Sequence, residues 1–162
     1  MTYFRFDKEP DRSAPDLIRN ILASTGAFSE QEIDLALELV MENLEKGSQK
    51  SGYHFLLARN NHGHMAGFTC YGPIPCTESS FDLYWIAVHR DFQGMGLGKS
   101  LFAETEKEIK TRKGTRIFAE TSGRKDYLLA RKFYTAVGFT KTCRIKDFYA
   151  PGDDKIIYEK VL

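Results

Sequence analysis

A glycine-rich turn, Gln93–Gly98, most constrains what this chain can fold into. The run before it, Leu83–Val88, is wholly apolar or aromatic and predicts a buried strand. The segment after it has apolar residues at helical spacing among charged ones, which predicts an amphipathic helix. A glycine turn that opens a helix presents unpaired backbone N–H groups at the positive end of the helix dipole. The turn therefore predicts an anion site suited to phosphate.

Two common phosphate-binding motifs fail here by one position. The P-loop, G-x-x-x-x-G-K-[ST], matches Gly98-Lys99-Ser100 but requires a glycine where Gln93 stands. The Rossmann fingerprint, G-x-G-x-x-G, matches Gly94 and Gly96 but requires a third glycine where Lys99 stands. A nucleotide-binding protein that uses either motif is therefore disfavoured.

A third pattern, [RQ]-x-x-G-x-[GA], fits through Gln93, Gly96 and Gly98. A second signature follows, an aromatic pair and then Gly-Phe, in the segment Phe133–Phe139. On these two signatures, which cover about residues 80–140, the chain resembles the GNAT-type N-acetyltransferases. The resemblance implies that acetyl-CoA is the co-substrate and that the glycine turn holds its pyrophosphate.

Composition sets the remaining bounds. A chain of 162 residues suits one domain, so we expect a single N-acetyltransferase domain over residues 1–162. A net charge of +1 favours neither nucleic acid nor a membrane surface as a partner. The segment Met1–Asp7 is too polar for a secretory signal, and the three cysteines lack metal-ligand spacing. We therefore expect a cytoplasmic protein with free thiols and no metal.

The pattern of elements predicts the order β-α-α-β-β-β-α-β-α-β-β. That order indicates an α/β fold, with a mixed central β-sheet flanked by helices, as the resemblance also implies. Ser29 and Glu32 predict a capping box for the second helix, and Gly47 is expected to end it. Asp126 is expected to cap the last helix, which would end at Gly138.

The resemblance assigns the cofactor site. The backbone of Ile86, Ala87 and Val88 is expected to bind the pantetheine arm along the strand before the turn. Many family members carry an asparagine seven residues before the signature tyrosine, and here Tyr127 stands in that position. The cofactor-binding residues expected from the family pattern are Ile86, Ala87, Val88, Gln93, Gly94, Met95, Gly96, Leu97, Gly98, Lys99 and Tyr127.

Three residues are expected to carry the chemistry. Tyr134 occupies the position from which the family supplies a general acid to the departing thiolate. Glu120 matches the base of the ribosomal-protein N-terminal acetyltransferases, and Asp82 lies where the histone acetyltransferases carry theirs. A lysine-like amine with a pKa near 10.4 is mostly protonated at neutral pH, so a base is needed. The choice between the two carboxylates stays open.

We expect the acceptor to be a small-molecule amine, attacked directly in a ternary complex. The alternatives are a protein N-terminus or lysine as acceptor, and a non-catalytic acyl-CoA-binding module. A homodimer is possible through the C-terminal strand. Side chains expected to surround or attract the acceptor are Phe28, Tyr71, Phe148, Tyr149, Asp153 and Asp154.

Overall fold

The computed structural model describes residues 3–162, so Met1 and Thr2 of the polar N-terminal segment lie outside the described residues. Seven strands and four α-helices follow one another in the order that the sequence predicts. The strands are β1 (Arg5–Asp7), β2 (His54–Arg59), β3 (Met65–Pro73), β4 (Ser80–Val88), β5 (Arg116–Ser122), β6 (Thr140–Ala150) and β7 (Asp153–Val161). The helices are α1 (Ala14–Thr25), α2 (Glu30–Ser51), α3 (Leu97–Thr111) and α4 (Leu128–Ala136).

All seven strands belong to one mixed sheet with the order β1-β2-β3-β4-β5-β7-β6. Neighbouring strands are antiparallel except for β4 and β5, which are parallel and are connected through α3. The predicted α/β class and its mixed central sheet are therefore confirmed. The single parallel pair lies at the middle of the sheet, which is where the site is built.

The sheet is covered on both faces. Because side chains alternate along a strand, Phe68 and Cys70 of β3 point to one face, where they pack with α1 and α2. Residues of the opposite phase in β4 and β5, such as Leu83 and Ile117, pack with α3 and α4. We call these the α1–α2 face and the α3–α4 face.

The start of α2 is as the sequence predicts, but its end is not. The Ser29 side chain accepts from the Glu32 backbone N–H, and the Glu32 side chain accepts from the Ser29 backbone N–H, which confirms the capping box. Gly47 does not end the helix. It breaks the helix locally, with φ 76° and ψ 159°, and helical structure resumes as far as Ser51 before Gly52 closes it in a left-handed conformation.

The start of α4 also differs from its prediction. Asp126 does not cap the helix; it lies inside a 3₁₀ turn, Lys125–Tyr127, that leads into Leu128. A three-residue turn of this kind satisfies part of the helix N-terminus with backbone bonds, so no side-chain cap is needed. The last two strands, β6 and β7, form an antiparallel hairpin around the Pro151-Gly152 turn.

Candidate active site

The two parallel strands of the sheet, β4 and β5, are paired over only part of their length. β4 and β5 pair only through Ser80↔Arg116, Phe81↔Ile117 and Asp82↔Phe118. Beyond Asp82, β4 stays paired with β3, while β5 follows β7 to the end of the strand. A split therefore opens between the C-terminal halves of β4 and β5, at the centre of the sheet. Ligands of open α/β sheets bind at such places, outside the carboxyl ends of strands.

A bulge in β4 sharpens the split. Trp85 pairs with Cys70 and Leu83 pairs with Tyr71, so Tyr84 is an extra residue without a direct partner in β3. A bulge bends its strand and increases the local twist. The free edge of β4 beyond the bulge includes Ile86–Val88, and among residues 3–162 no strand pairs with that edge. The predicted pantetheine segment thus has backbone groups available on one side.

The glycine turn is built to leave its N–H groups free. Gly94 and Gly96 adopt positive φ, 77° and 79°, which glycine adopts without steric cost. Gly96 is also the N-cap of α3 and brings no side chain to the helix end. Within the described part of the chain, no acceptor bonds the backbone N–H groups from Gly94 to Lys99. The turn and the first turn of α3 together form a cradle of donors for an anion.

The side chains around the cradle differ in their contacts: some are bonded or packed against neighbouring elements, and Met95 is exposed. Gln93 donates its side-chain amide to the carbonyl oxygen of Val88 at 3.0 Å, which ties the turn to the end of β4. Leu97 is buried in the core, whereas Met95 is exposed. A Cβ on Gly98 would lie 3.3 Å from the ring of Phe133, so this side chain of α4 lies against the first turn of α3. The contact places the cradle beside the signature of the second motif.

Tyr134 reaches the split from the α3–α4 face. Its ring packs against Phe139 and Tyr158, each with centroids 5.4 Å away, and the residue is buried. No hydrogen-bond partner for its hydroxyl exists among the described residues, and the same residues contain no fully buried side-chain polar atom without a partner. The hydroxyl therefore still touches solvent-accessible space. Burial, with a smaller contribution from Tyr158, raises the pKa of Tyr134 to about 12, so the phenol keeps its proton.

Two carboxylates occupy the other face of the split. Asp82 lies opposite Phe118, and Glu120 is two residues further along β5, so both point to the α1–α2 face. Burial and then the charge of Glu120 raise the pKa of Asp82 to about 6, against an opposing effect of Lys155. Glu120 itself forms an ion pair with Lys155 of β7, whose ammonium lies 4.5 Å from the ring centroid of Phe148.

Sequence reasoning missed Lys155. Nothing in the strand pattern marks it, because its position beside Glu120 arises only from the register of β5 on β7. Ser122 pairs with Lys155 and Glu120 pairs with Ile157, so the two charged side chains are diagonal neighbours on one face. The structure thus adds a cation to a site that the sequence described by its acids alone.

The residues expected around the acceptor fall into three groups. Phe148 and Tyr149 are half-exposed near Lys155. Tyr71 lies on the α3–α4 face instead, stacked on His54 and buried, because it pairs with Leu83. Asp153 and Asp154 are held by side chains of Ser122 and Arg144 respectively.

Tyr127 has a partner that the family pattern does not suggest. It lies in the 3₁₀ turn before α4, and its hydroxyl donates to the carboxylate of Glu32, near the start of α2. Burial and that hydrogen bond raise the pKa of Tyr127. The hydroxyl of Tyr127 is therefore engaged across the molecule, between two helices far apart in sequence.

No group of three or more His, Cys, Asp or Glu side chains in residues 3–162 is arranged to hold a metal ion. No helix in the same range has the length and apolar character that crossing a bilayer requires.

Comparison with known proteins identifies the family. The model of the acetyltransferase (GNAT) family matches residues 17–139 of the chain. A GNAT-family protein from Desulfovibrio desulfuricans has a solved structure that superposes with a TM-score of 0.93 at 42% identity, covering 98% of this chain and 99% of that one. The chain therefore belongs to the GNAT acetyltransferase family. A search of curated protein sequences found no match.

More distant structures share the fold. The ribosomal-protein-alanine N-acetyltransferase of Brucella melitensis gives a TM-score of 0.76 at 21% identity, over 98% of this chain and 99% of that one. The PaiA N-acetyltransferase of Thermoplasma acidophilum, solved in complex with coenzyme A, gives 0.72 at 21% identity, with 99% of each chain covered. These two structures therefore share the overall fold of this chain.

Proposed function

We propose that this protein transfers an acetyl group from acetyl-CoA to the amine of a small-molecule acceptor, by direct attack in a ternary complex. One observation carries the proposal. Where β4 and β5 part, Asp82 and Glu120 lie on one face of the split and Tyr134 approaches from the other. A base and a hydrogen-bond donor on opposite sides of one gap suit an acyl transfer in which a proton leaves the amine and the departing thiolate accepts a hydrogen bond.

Binding of acetyl-CoA is supported by the fit of its parts to the chain. The free N–H groups from Gly94 to Lys99 suit a pyrophosphate, and glycine at positions 94 and 96 leaves no side chain to obstruct it. The unpaired edge at Ile86–Val88 suits the amide groups of pantetheine, which would add hydrogen bonds to β4 as a strand does. When bound, the thioester supplies an activated acetyl carbonyl.

Asp82 is the better placed of the two candidate bases. With a pKa of about 6, its carboxylate is ionised at neutral pH and still basic enough to accept a proton. Glu120 is engaged in an ion pair with Lys155. We therefore assign proton removal to Asp82, directly or through one water, and give Glu120 the role of keeping Asp82 basic. The amine nitrogen then bonds to the acetyl carbon.

Tyr134 completes the transfer. As the carbon–sulfur bond breaks, the electron pair stays on sulfur, and the Tyr134 phenol donates a hydrogen bond to that sulfur. A thiolate of this kind has an ordinary pKa near 8.5, below that of the phenol, so the proton stays on the phenol oxygen. The hydrogen bond stabilises the negative charge that collects on sulfur, and CoA leaves as a thiolate that takes its proton from solvent. Burial of Tyr134, which raises its pKa to about 12, keeps the phenol protonated at neutral pH.

The shape of the acceptor side favours a small molecule. The α1–α2 face of the split is bordered by the start of α2 and by aromatic residues of β6, among them Phe148 and Tyr149. A protein N-terminus or a lysine side chain would have to enter an opening bordered on both sides. Protein acetylation is nevertheless an explicit arm of the test, since the fold is shared with a ribosomal-protein-alanine acetyltransferase.

The first experiment measures binding. Calorimetric titration with acetyl-CoA, ATP and NADH is made on the wild type, on Gly96→Glu and on Gly63→Glu. Gly63 has the same left-handed backbone, φ 80°, in the turn between β2 and β3, and both positions have open space at the Cβ. We expect acetyl-CoA alone to bind, Gly96→Glu to abolish binding, and Gly63→Glu to retain it. Selective binding of ATP or NADH would overturn the proposal.

The second experiment identifies the acceptor class. The enzyme with acetyl-CoA is assayed by thiol release against small amines, amino acids and unstructured peptides with free N-termini or lysines. Turnover of small amines with no turnover of peptides supports the proposal. Turnover of peptides would move the function to protein acetylation. Tight binding of acetyl-CoA without turnover of any amine, and with no change in binding on Tyr134→Phe, would favour a non-catalytic module.

A further inference from the structure

The start of α2 is fastened on both sides of the split. On one side, Phe28, the residue before the N-cap, packs edge-on against Trp85 of β4 with ring centroids 5.3 Å apart. On the other side, Glu32 of the first turn accepts the hydrogen bond from Tyr127, which follows β5. β4 and β5 are the two strands that separate beyond Asp82. The segment Phe28–Glu32 thus contacts β4 on one side and the 3₁₀ turn that follows β5 on the other.

This segment lies on the face that carries the carboxylates. Trp85 pairs with Cys70, whose side chain belongs to the α1–α2 face, and Asp82 and Glu120 point to the same face. Tyr149 shares these surroundings, because burial and the charges of Glu120, Asp153 and Glu32 raise its pKa. The segment Phe28–Glu32, which we call the roof, therefore lies on the α1–α2 face, the face to which Asp82 and Glu120 point.

Both partners of the hydrogen bond between Tyr127 and Glu32 are held in place by further hydrogen bonds. Arg131 donates to the carbonyl oxygens of Ser122 and Arg124, each at 2.7 Å, and so fixes the loop that presents Tyr127. At the other end, the second carboxylate oxygen of Glu32 accepts from the backbone N–H of Ser29 at 2.7 Å in the capping box. Burial opposes ionisation of Glu32, but the bonds from Tyr127 and Ser29 outweigh it and lower its pKa. The bond is therefore one between a phenol and an ionised carboxylate, a stronger class than a neutral pair.

We propose that Tyr127 is a positioning residue for the acceptor: through Glu32 it holds the roof closed over the α1–α2 face of the split, and so limits the size of the amine that is accepted. This assignment rests on the proposed function. It replaces the role that the family pattern implies for this position, a side-chain contact to the cofactor. The chemical class of the acceptor follows, a compact primary amine that fits beneath Phe28–Glu32 beside Asp82.

Removal of one hydroxyl tests the proposal. Tyr127→Phe keeps the ring and its packing but breaks the bond to Glu32. We expect the KM for a small amine to rise about tenfold, the size of effect of a hydrogen bond to a charged group, with the KM for acetyl-CoA unchanged. We also expect bulkier amines and short peptides to gain kcat/KM relative to the small amine. Tyr3→Phe, at an exposed tyrosine on the other edge of the sheet, is the matched control and should change neither.

A double-variant cycle checks that Tyr127 acts through Glu32. If it does, Tyr127→Phe combined with Glu32→Gln should raise the acceptor KM no further than the larger single effect. A higher KM for acetyl-CoA with an unchanged acceptor KM would overturn the proposal and return Tyr127 to the cofactor. Fully additive effects of the two variants on the acceptor KM would overturn it as well.

Trp85 gives a readout that does not depend on activity. It is the single tryptophan of the chain and lies against Phe28 beneath the roof. We expect Tyr127→Phe to increase acrylamide quenching of its fluorescence, and Tyr3→Phe to leave quenching unchanged. If quenching in Tyr127→Phe equals that in the wild type, the proposal that Tyr127 holds the roof closed is wrong. A wild-type protein that neither binds acetyl-CoA nor acetylates any amine would refute the proposed function, while the quenching result would still decide whether the roof is fastened there.

Discussion

Asp82 and Glu120 share one face of the sheet at the point where their strands separate, and they influence each other's charge. Asp82 lies opposite Phe118 in the last parallel pair, and Glu120 is the next residue of β5 on that face. Burial and the charge of Glu120 raise the pKa of Asp82 to about 6, whereas Lys155 opposes both. The effect of Glu120 and Lys155 on Asp82 underlies the first three predictions.

The acetylation rate should depend on the ionisation of Asp82. Its carboxylate accepts a proton only when ionised, so kcat/KM for the acceptor should fall as the pH drops below about 6. Asp82→Asn should lower kcat by about 10²- to 10⁴-fold, the usual contribution of a general base. The measurement is the pH profile of thiol release. If the remaining activity of Asp82→Asn falls at low pH in the same way as that of the wild type, the general base is a group other than Asp82.

Lys155 should set the position of that acidic limb. A nearby cation favours the ionised form of a carboxylate, so Lys155→Met should raise the pKa of Asp82 and move the limb to higher pH. Lys141→Met, at an exposed position of β6, serves as the control and should leave the limb where it is. A limb that moves to lower pH in Lys155→Met would contradict the assignment.

Asp82 should also destabilise the folded protein at neutral pH. Its folded pKa of about 6 is above the ordinary 3.8, so the folded state binds the proton more tightly, and the free energy of unfolding falls as the pH rises through that window. Asp82→Asn should therefore stabilise the protein at pH 7.5, by about 1 kcal/mol after allowance for partial exposure, and not below about pH 4. Denaturant unfolding at the two pH values measures this. Asp126→Asn, at an exposed carboxylate, should change little at either pH.

Tyr134→Phe should separate chemistry from binding. The hydroxyl has no partner among residues 3–162, so its removal should change the free energy of unfolding by less than about 0.5 kcal/mol. Loss of the hydrogen-bond donor should lower kcat by about 10²-fold or more while the Kd for acetyl-CoA stays within about twofold. The measurements are kcat from an assay of thiol release and the Kd for acetyl-CoA from calorimetry, each in wild type and in Tyr134→Phe. A parallel loss of affinity would mean that the phenol binds the cofactor.

Replacing Gly47, at the break in α2, should cost more unfolding free energy than replacing Gly52, at the end of that helix. Both have positive φ and open space at the Cβ, but Gly47 combines φ 76° with ψ 159°, a region that only glycine populates readily. Gly47→Ala should therefore cost up to about 3 kcal/mol of unfolding free energy. Gly52→Ala, in the ordinary left-handed region, should cost about 1 kcal/mol. Equal costs would show that α2 straightens through position 47.

The order of elements was predictable because each element is marked by local chemistry. Alternating or continuous apolar runs mark the strands, the Ser29–Glu32 pair marks the start of α2, and the glycines mark the turn before α3. The misread boundaries have local causes too. A backbone 3₁₀ turn replaced the expected Asp126 cap, and helical structure resumed beyond Gly47, where nothing in the sequence shows that the chain continues in the same direction.

The sequence by itself determined the fold class, the family and the donor cradle of Gly94–Lys99, since these follow from period, turn chemistry and short motifs. Only the tertiary structure decided which polar side chains contact each other. Lys155 reaches Glu120 through the register of β7 on β5, and Tyr127 reaches Glu32 across a separation of 95 residues. Strand register and helix placement depend on the packing of the whole core, so contacts between distant side chains have no local signature. The contacts of Glu120 with Lys155 and of Tyr127 with Glu32 were therefore visible only in the folded protein.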